Sequence, residues 1–415
     1  MPKSKIFLLV ILTFLFLVLQ SIPDGASACT LIVSSGRATT SGRPLLWKNR
    51  DTSEVLNKLM YFKGTKYGFI GLINSTDAGG LEIWGGLNDQ GLAIVNSQAD
   101  DLAVKDKKYD GADNGLLMKM ALGECATVDE VEKLLQREKG RLDLAANFGV
   151  IDALGGAVFF ETSSDYYTRF DTADRKVAPF GYIVRTNFAY TSPDYLEGGG
   201  FIRLERMSQL AETARATGQL DVRFVLQAAA RDLNQEKLHS YPLAMTLPQD
   251  PARPLYINTN DTINRNSTAA AIVFSGAPSP QRADLATMWV ILGQPVTSVA
   301  IPVWPYSGKI PEVAAAAGQE TCQLNSLSRK LVAYLYPDRR GRMPQYLNVT
   351  RLRTYGGEGL LTKLLRIENQ VLERTAAQLS FWEKKKEPAD KVGQFQAEMA
   401  NFVWQSLLLE FSDLK

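Results

Sequence analysis

The chain of 415 residues has little of several residue types that mark common protein classes. Its three cysteines are too few for a disulfide scaffold, and it contains a single histidine, His239. The formal net charge is only +2, so no nucleic acid partner is expected. No cluster of His, Cys and Asp has the spacing of a metal site, and no phosphate-binding glycine motif is present. We therefore expect neither a metal nor a cofactor.

Long apolar runs are confined to the N-terminus. Residues 6–19 are apolar, follow two lysines and precede Ala26-Ser27-Ala28, a small-residue motif typical of signal peptidase cleavage. The run is shorter than the roughly 20 residues of a membrane helix. Residues 1–28 are therefore predicted to be a signal peptide, and the mature chain is expected to have no membrane span. We expect an exported protein, periplasmic or secreted, that begins at Cys29 after cleavage.

Predicted strands and helices occur in blocks along the chain. Strand-like runs dominate residues 29–186, helical spacing covers 201–232, and strands return after residue 270. This order favours an α+β fold of layered antiparallel sheets over a doubly wound fold. Residues 311–415 are mostly helical in pattern. They are predicted to form an extension packed on a domain of residues 29–310.

The predicted cleavage site gives Cys29 unusual chemistry. A disulfide between Cys125 and Cys322 would leave Cys29 as an unpaired thiol in an exported protein. Cleavage after Ala28 would place a thiol and a free α-amine on one residue, with ordinary pKa values near ~8.5 and ~8. A neutral α-amine can take the proton of the thiol and later protonate a leaving amine. Such a site needs no histidine.

The first predicted hairpin supplies charged partners for this residue. A turn centred at Thr40 would place Asp51 opposite Cys29, where a carboxylate could hold the α-ammonium. A slip of one residue would turn Asp51 to the other face of the sheet. Lys48 would point away from Cys29, and its approach would need a β-bulge.

Amide side chains at two predicted strand ends could stabilise an oxyanion. Asn96 and Gln98 share one face of a strand by the two-residue period, and Asn187 follows another strand. Arg203 and Arg206 lie three residues apart in a predicted helix, so that both project from one side of it.

These segments resemble the N-terminal nucleophile hydrolases of the choloylglycine hydrolase group. That group includes penicillin V acylases, bile salt hydrolases, acyl-CoA:6-aminopenicillanate acyltransferases and related cysteine dipeptidases. The matching segments cover most of residues 29–305. In chain order they are CT, ATTSGRPLLWKNRD, GLNDQGLAIVNS, NFGVIDALGGAVFFE, RTN, IRLER, TINRNSTAAAIVFSG and MWVILGQPVTSVAIP.

The resemblance implies a four-layer αββα sandwich in which Cys29 begins a central strand. It implies that Cys29 is the nucleophile and that Asp51 holds its amine. Lys48 stands where bile salt hydrolases carry an arginine. Asn187 matches an oxyanion asparagine of those enzymes.

Two positions stay open within the resemblance. Arg203 is the better match for a later arginine of the family, and Arg206 is the alternative. For the second oxyanion residue, alignment with bile salt hydrolases selects Gln98, whereas the dipeptidase-like pattern selects Asn96, which we favour.

The predicted function is hydrolysis of a linear C–N bond in a small-molecule amide, through a thioester on Cys29. An acyltransferase or a dipeptidase of the same fold is the alternative enzyme. A lipid-anchored or secreted binding protein is the alternative of another class, because lipidation also modifies a cysteine at a new N-terminus. Ala26 stands where the lipidation motif usually has leucine. The acyl group, the amine and a homo-oligomeric state stay open.

Overall fold

A computed structural model describes residues 28–102, 111–235, 254–337, 345–353 and 358–414. The predicted signal peptide lies outside the described residues except for Ala28, and so does His239. Within the described ranges, no helix combines the length and apolarity needed to cross a bilayer.

Most described strands belong to two antiparallel sheets. The first contains, in spatial order, β10 (Tyr182–Arg185), β1 (Ala28–Ser34), β2 (Leu45–Asp51), β12 (Thr268–Ser275), β13 (Thr287–Leu292) and β14 (Ile301–Val303). The second contains β3 (Asn57–Lys63), β4 (Gly68–Asn74), β5 (Gly85–Asn88), β6 (Ala93–Gln98), β7 (Ala145–Ile151), β8 (Ala157–Ser163) and β9 (Tyr167–Asp171). A separate pair consists of β11 (Tyr256–Asn258) and β15 (Tyr346–Asn348).

The helices of the described residues are α1 (Asn114–Glu124), α2 (Val128–Glu138), α3 (Phe201–Ala216), α4 (Val222–Phe224), α5 (Gln323–Leu335), α6 (Val349–Leu352), α7 (Leu360–Lys384) and α8 (Ala389–Glu410). Helix α4 continues into a π-helical turn, Val225–Ala229. Helix α2 begins with the capping residues expected from its sequence. The side chain of Thr127 accepts a hydrogen bond from the Glu130 amide at 3.2 Å, and Glu130 Oε2 accepts one from the Ala126 amide at 2.6 Å.

The two sheets pack face to face and are covered by helices on their outer sides. Val33 and Leu46 of the first sheet lie against Gly149 of the second, where a Cβ atom would be 3.0 Å from both side chains. Helices α1 and α2 share one buried apolar cluster with the second sheet. Helices α3, α5, α7 and α8 join the cluster that includes the first sheet. This αββα arrangement confirms the predicted fold class.

The register of the first hairpin differs from the predicted one by a single residue. Cys29 lies opposite Arg50, whereas Asp51 lies opposite Ala28. The connection between β1 and β2 spans residues 35–44, so its centre falls between Thr39 and Thr40 rather than on Thr40. The Thr39 hydroxyl closes this turn by donating to the Arg43 carbonyl at 2.7 Å. The prediction that Asp51 faces Cys29 across the ladder is therefore wrong.

The same shift reverses the orientation expected for Lys48. Lys48 lies opposite Leu31, and residues 29 and 31 share one face of β1 because side chains alternate along a strand. The ladder between β1 and β2 is regular throughout. The prediction that Lys48 points away from Cys29 unless a bulge intervenes is wrong. Lys48 lies on the face of Cys29 without one.

The helices after residue 310 are joined to the sheets by a buried ion pair. Both terminal nitrogens of Arg231 donate to the Glu368 carboxylate at 2.8 Å, and the two side chains are 1% and 0% exposed. Glu368 Oε2 also accepts a hydrogen bond from the Ala300 amide at 2.9 Å. Nearby, the Trp304 and Trp382 rings pack edge to face at 5.2 Å. The domain boundary at residue 310 stays a prediction.

We expect the substitution Arg231→Met to lower the free energy of unfolding by about 3–5 kcal/mol, because it leaves the Glu368 carboxylate buried without its partner. Urea denaturation measures this loss. The control is Arg366→Gln, since Arg366 is 53% exposed and its carboxylate contacts are long, at 3.7 and 3.9 Å. The control should change stability by less than about 0.5 kcal/mol. Equal losses in the two variants would contradict a stabilising role for the buried pair.

Candidate active site

Cys29 lies near the start of a central strand, at the wall of a polar cavity. Strand β1 is flanked by β2 and β10, and the Cys29 side chain faces the second sheet. The cavity has a volume of about 400 Å³ and is lined mainly by polar or charged residues. The residue as a whole is only 5% exposed.

The main-chain nitrogen of Cys29 is held by Asn187. The distance from this nitrogen to Asn187 Oδ1 is 2.7 Å, and Asn187 Nδ2 donates to the Gln98 carbonyl at 2.9 Å. The backbone of Asn187 exchanges two hydrogen bonds with Gly199, at 3.1 and 2.9 Å. These contacts fix the amide side chain beside the first sheet.

Arg203 binds the same two residues from helix α3. Its Nη2 donates to Asn187 Oδ1 at 2.9 Å, and its Nη1 donates to the Cys29 carbonyl at 2.5 Å and to Thr30 Oγ1 at 2.9 Å. The helix begins directly after Gly200, whose φ of 89° favours glycine. A Cβ atom on Gly200 would lie 2.6 Å from Arg203 Nη2, so the glycine leaves room for the guanidinium.

Arg206 takes no part in this network. Its Nη2 pairs with the Asp232 carboxylate at 2.7 Å, and it is absent from the cavity wall. Of the two arginines that the sequence proposes, the structure therefore brings Arg203 to Cys29.

Asp51 lies in the cavity wall close to Arg203. Its Oδ1 accepts a hydrogen bond from Thr268 Oγ1 at 2.6 Å, and its Oδ2 lies 4.0 Å from Arg203 Nη1. Burial raises the pKa of Asp51 to about 6, although Arg265, Arg203 and the bond from Thr268 oppose that shift. Asp51 Oδ2 is buried and has no hydrogen-bond partner among the described residues.

Lys48 connects the cavity wall to Asn96. Its Nζ donates to Asn96 Oδ1 at 2.8 Å and to the Trp84 carbonyl at 3.0 Å. Burial has the largest effect on the pKa of Lys48 and lowers it to about 8. Cys29 and Asp51 oppose this shift, whereas Arg50 adds to it. The lysine is therefore mostly protonated at neutral pH and loses its charge above about pH 8.

Asn96 and Gln98, the two candidates for the second oxyanion position, both line the cavity. The other proposed oxyanion residue, Asn187, does not line it, and its Nδ2 already donates to the Gln98 carbonyl. Asn96 is buried, and its Oδ1 accepts the hydrogen bond from Lys48. Its Nδ2 is then the donor group that is left for a substrate oxygen. Gln98 also lines the cavity, but its Nε2 donates to Asp100 Oδ1 at 2.7 Å. The position of Lys48 thus favours Asn96 as the amide with a fixed orientation.

Sequence reasoning missed Arg50, which lies directly opposite Cys29. Its side chain lines the cavity, and its Cζ lies 4.7 Å from the centroid of the Trp84 ring. The correct hairpin register identifies this residue, because every pair in the ladder has the same index sum and Cys29 therefore pairs with Arg50.

The remaining two thiols lie away from the cavity. All three cysteines are free, and Cys125 and Cys322 belong to different buried clusters. Burial raises the pKa of both Cys125 and Cys322 to about 12. Over the described part of the chain, no group of three or more His, Cys, Asp or Glu residues could hold a metal ion.

A four-layer sandwich of antiparallel sheets with a cysteine at the head of a central strand is the architecture expected of an N-terminal nucleophile hydrolase. The model of the acyl-coenzyme A:6-aminopenicillanic acid acyl-transferase family matches residues 38–242, just under half of the chain. This match confirms the resemblance of the chain to the N-terminal nucleophile hydrolase group.

Several solved structures show a weaker likeness. One is the N-acylethanolamine-hydrolyzing acid amidase ortholog of Caenorhabditis elegans, at 16% identity and a TM-score of 0.39, covering 63% of this chain and 100% of that one. Penicillin V acylase from Agrobacterium tumefaciens has 14% identity and a TM-score of 0.38, with 66% and 86% covered. A mutant of the conjugated bile acid hydrolase from Clostridium perfringens has 10% identity and a TM-score of 0.39, with 66% and 92% covered. No curated protein sequence matches the chain.

We expect iodoacetamide to alkylate Cys29 alone in the folded protein at about pH 8. Cys29 lines the cavity, whereas the raised pKa values and the burial of Cys125 and Cys322 keep them as unreactive thiols. Peptide mapping by mass spectrometry identifies the labelled residue. The control is the same reaction in denaturant, which should label all three cysteines. Labelling of Cys125 or Cys322 as fast as Cys29 in the folded protein would contradict this assignment.

Proposed function

We propose that the protein is an exported cysteine amidohydrolase that becomes active when cleavage after Ala28 makes Cys29 the first residue. It cleaves a linear amide through a thioester on Cys29. The match to the acyltransferase family model supports amide hydrolysis or acyl transfer in general. The single observation that carries the finer proposal is the bond of 2.7 Å between Asn187 Oδ1 and the nitrogen of Cys29, a residue that lines the cavity.

In the proposed mature enzyme, that nitrogen is an α-amine. Asn187 Oδ1 accepts one of its hydrogens, which leaves the others for a second acceptor. Asp51 Oδ2 is buried and lacks a hydrogen-bond partner among the described residues, and Asp51 pairs with Ala28, the residue that cleavage removes. The departure of Ala28 therefore opens a path from the amine to this carboxylate. An ammonium there would lower the pKa of Asp51, because an opposite charge favours the ionised form.

The proposed reaction begins when the neutral α-amine takes the proton of the Cys29 thiol. The thiolate attacks the amide carbon, so that a carbon–sulfur bond forms and the carbonyl oxygen becomes an oxyanion. The Nδ2 group of Asn96 donates to that oxygen, since Lys48 holds the other end of the amide. The α-ammonium then protonates the leaving nitrogen as the carbon–nitrogen bond breaks. Water hydrolyses the thioester and restores the thiol.

Acyl transfer is a second candidate, favoured by the match to an acyltransferase family model. The two reactions share every step up to the thioester and differ in whether water or an amine attacks it. Adding hydroxylamine to a reaction and measuring the ratio of hydroxamate to free acid distinguishes them. An acyltransferase gives mainly hydroxamate at millimolar amine, whereas a hydrolase gives mainly acid.

We expect a single residue ahead of Cys29 to abolish most activity. Protein that begins at Cys29 and protein that begins at Ala28 differ by one residue that β1 already accommodates, so both should fold. Loss of the free α-amine on the nucleophile should reduce hydrolysis of acyl-amide substrates by about 100-fold or more, the usual contribution of general acid–base catalysis. Intact-mass analysis confirms each N-terminus before the rates are measured.

The variant Cys29→Ala, made in the form that begins at residue 29, is the reference for background hydrolysis. Equal rates for the forms that begin at Ala28 and Cys29 would refute the role of the α-amine. Full activity of Cys29→Ala would refute the enzyme proposal as a whole and leave the binding protein as the surviving alternative.

The pKa of Lys48 predicts an alkaline limit on activity. The ammonium lies beside Cys29 and orients Asn96, so activity should fall as pH rises through about 8 and the charge is lost. In Lys48→Arg the guanidinium stays protonated, and the limit should move to higher pH. Profiles of kcat/KM against pH measure this shift. The control Lys58→Arg changes a lysine on β3 outside the cavity wall and should leave the profile unchanged. An identical limit in wild type and Lys48→Arg would contradict the assignment.

A further inference from the structure

Arg50 is a buried cation that forms no ion pair with a carboxylate among the described residues, although Glu54 and Glu82 raise its pKa from a longer distance. It is 3% exposed, and its Nη2 donates to Asn74 Oδ1 at 2.7 Å. Its Nη1 donates to Asn57 Oδ1 and, at 3.4 Å, to the main-chain carbonyl of Glu54. All three partners are neutral. Lys48, its neighbour on the same face, likewise donates only to neutral oxygens among the described residues.

The other buried arginines of the described residues each have a carboxylate nearby. Arg185 lies 2.8 Å from Glu161, Arg231 lies 2.8 Å from Glu368, and Arg203 lies 4.0 Å from Asp51. This pairing follows from the cost of burying an isolated charge, which is large unless an opposite charge compensates it. Arg50 departs from the pattern in the wall of the cavity beside Cys29.

Two acidic residues share this cavity wall without pairing with Arg50. Glu54 and Glu82 both line the cavity, yet neither side chain forms an ion pair with the guanidinium. Burial raises the pKa of Glu82, and the nearby Asp77 and Asp113 raise it further, whereas Arg50 lowers it. Burial lowers the pKa of Arg50 to about 10, so the guanidinium is still charged at neutral pH. The guanidinium opposite Cys29 therefore carries its positive charge at the cavity wall.

The cavity side of Cys29 corresponds to the acyl half of a substrate. In the proposed reaction the leaving nitrogen receives its proton from the Cys29 amine, which Asn187 holds from the direction of β10. Arg50 lies directly opposite Cys29 and lines the cavity, whereas Asn187 is not among the lining residues. The acyl group that stays on the sulfur thus occupies the space next to Arg50, while the amine leaves on the side of Asn187.

We propose that Arg50 binds a carboxylate carried by the acyl half of the substrate, so that the enzyme acts on amides of acids with a second acidic group. This inference rests on the proposed function, of which it names the substrate class. A guanidinium stacked on Trp84 is held in one plane and presents its remaining N–H groups in a fixed orientation, which suits a carboxylate.

The first test compares two substrates that share one reporter amine, a glutaryl amide and the corresponding glutaramoyl amide. They have nearly the same shape and differ in whether the far end of the acyl group is charged. Wild type should favour the glutaryl amide by about tenfold to a hundredfold in kcat/KM, the usual effect of a hydrogen bond between charged groups. Arg50→Gln should lose this preference while still cleaving the glutaramoyl amide. Arg50→Lys should keep part of it.

The control Arg366→Gln removes one positive charge from an exposed site and should keep the preference of the wild type. A preference that survives in Arg50→Gln overturns the proposal. A third substrate with a neutral acyl group and glycine as the amine places the carboxylate on the other half. If that substrate, and not the glutaryl amide, depends on Arg50, the assignment to the acyl half is wrong.

The second test uses alkylation of Cys29 and does not require amide hydrolysis. Iodoacetate and iodoacetamide both form a carbon–sulfur bond with release of iodide, but only iodoacetate carries a carboxylate. The ratio of their rates should fall several-fold in Arg50→Gln and stay unchanged in Arg366→Gln. An unchanged ratio in Arg50→Gln refutes the inference. A ratio that depends on Arg50 in a protein that cleaves no amide refutes the proposed function and leaves the carboxylate site standing.

Discussion

The hydrogen bond between the Cys29 nitrogen and Asn187 Oδ1 is the contact on which the arrangement of the site depends. It joins the first strand to the segment after β10, and Arg203 reinforces it by donating to both Asn187 and the Cys29 carbonyl. One buried guanidinium therefore binds the Cys29 carbonyl and also the amide oxygen that accepts from the Cys29 nitrogen. Any acid–base role for that nitrogen requires such a fixed position, because proton transfer depends on distances within hydrogen-bond reach.

The charged side chains around the cavity differ in how closely an opposite charge approaches them. Asp51 has Arg265, Arg203 and Lys48 as nearby cations, whereas the hydrogen bonds of Lys48 and Arg50 go to neutral oxygens. The site therefore combines an anion on the side of the Cys29 nitrogen with cations on the side of its sulfur. In the proposed reaction this separation suits both charges that develop, since an ammonium forms at the nitrogen and a thiolate and an oxyanion form on the other side.

The layered fold and most of the site could be predicted from the sequence, for reasons that individual elements show. Apolar runs identified β1, β2 and β12 because their buried residues are continuous. Thr127 and Glu130 marked the start of α2 because capping is a local interaction. Motif resemblance named Cys29 and Asn187, which lie far apart in the chain and which only the fold brings together.

The parts that could not be predicted depend on the exact length of a turn and on contacts between distant segments. The predicted hairpin register is wrong by one residue because the connection has an even number of residues. That error hid the position of Arg50 opposite Cys29 and assigned Lys48 to the wrong face of the strand. Strand β3 (Asn57–Lys63) is an edge strand whose burial alternates irregularly, so its own residues do not mark it as a strand. Its pairing with β4 defines it.

The position of Ala28 separates folding from activation in the proposed mechanism. Ala28 is the first residue of β1 and pairs with Asp51, so the sheet accommodates at least one residue ahead of Cys29 without changing its register. Folding therefore does not require the proposed cleavage. Cleavage would change two things within a few ångströms: the amide nitrogen of Cys29 would become a basic amine, and the space opposite Asp51 would become vacant. A chain of this kind can fold before it is cleaved and acquire its acid–base group afterwards, because the contacts of Asn187 and Arg203 with Cys29 are already in place.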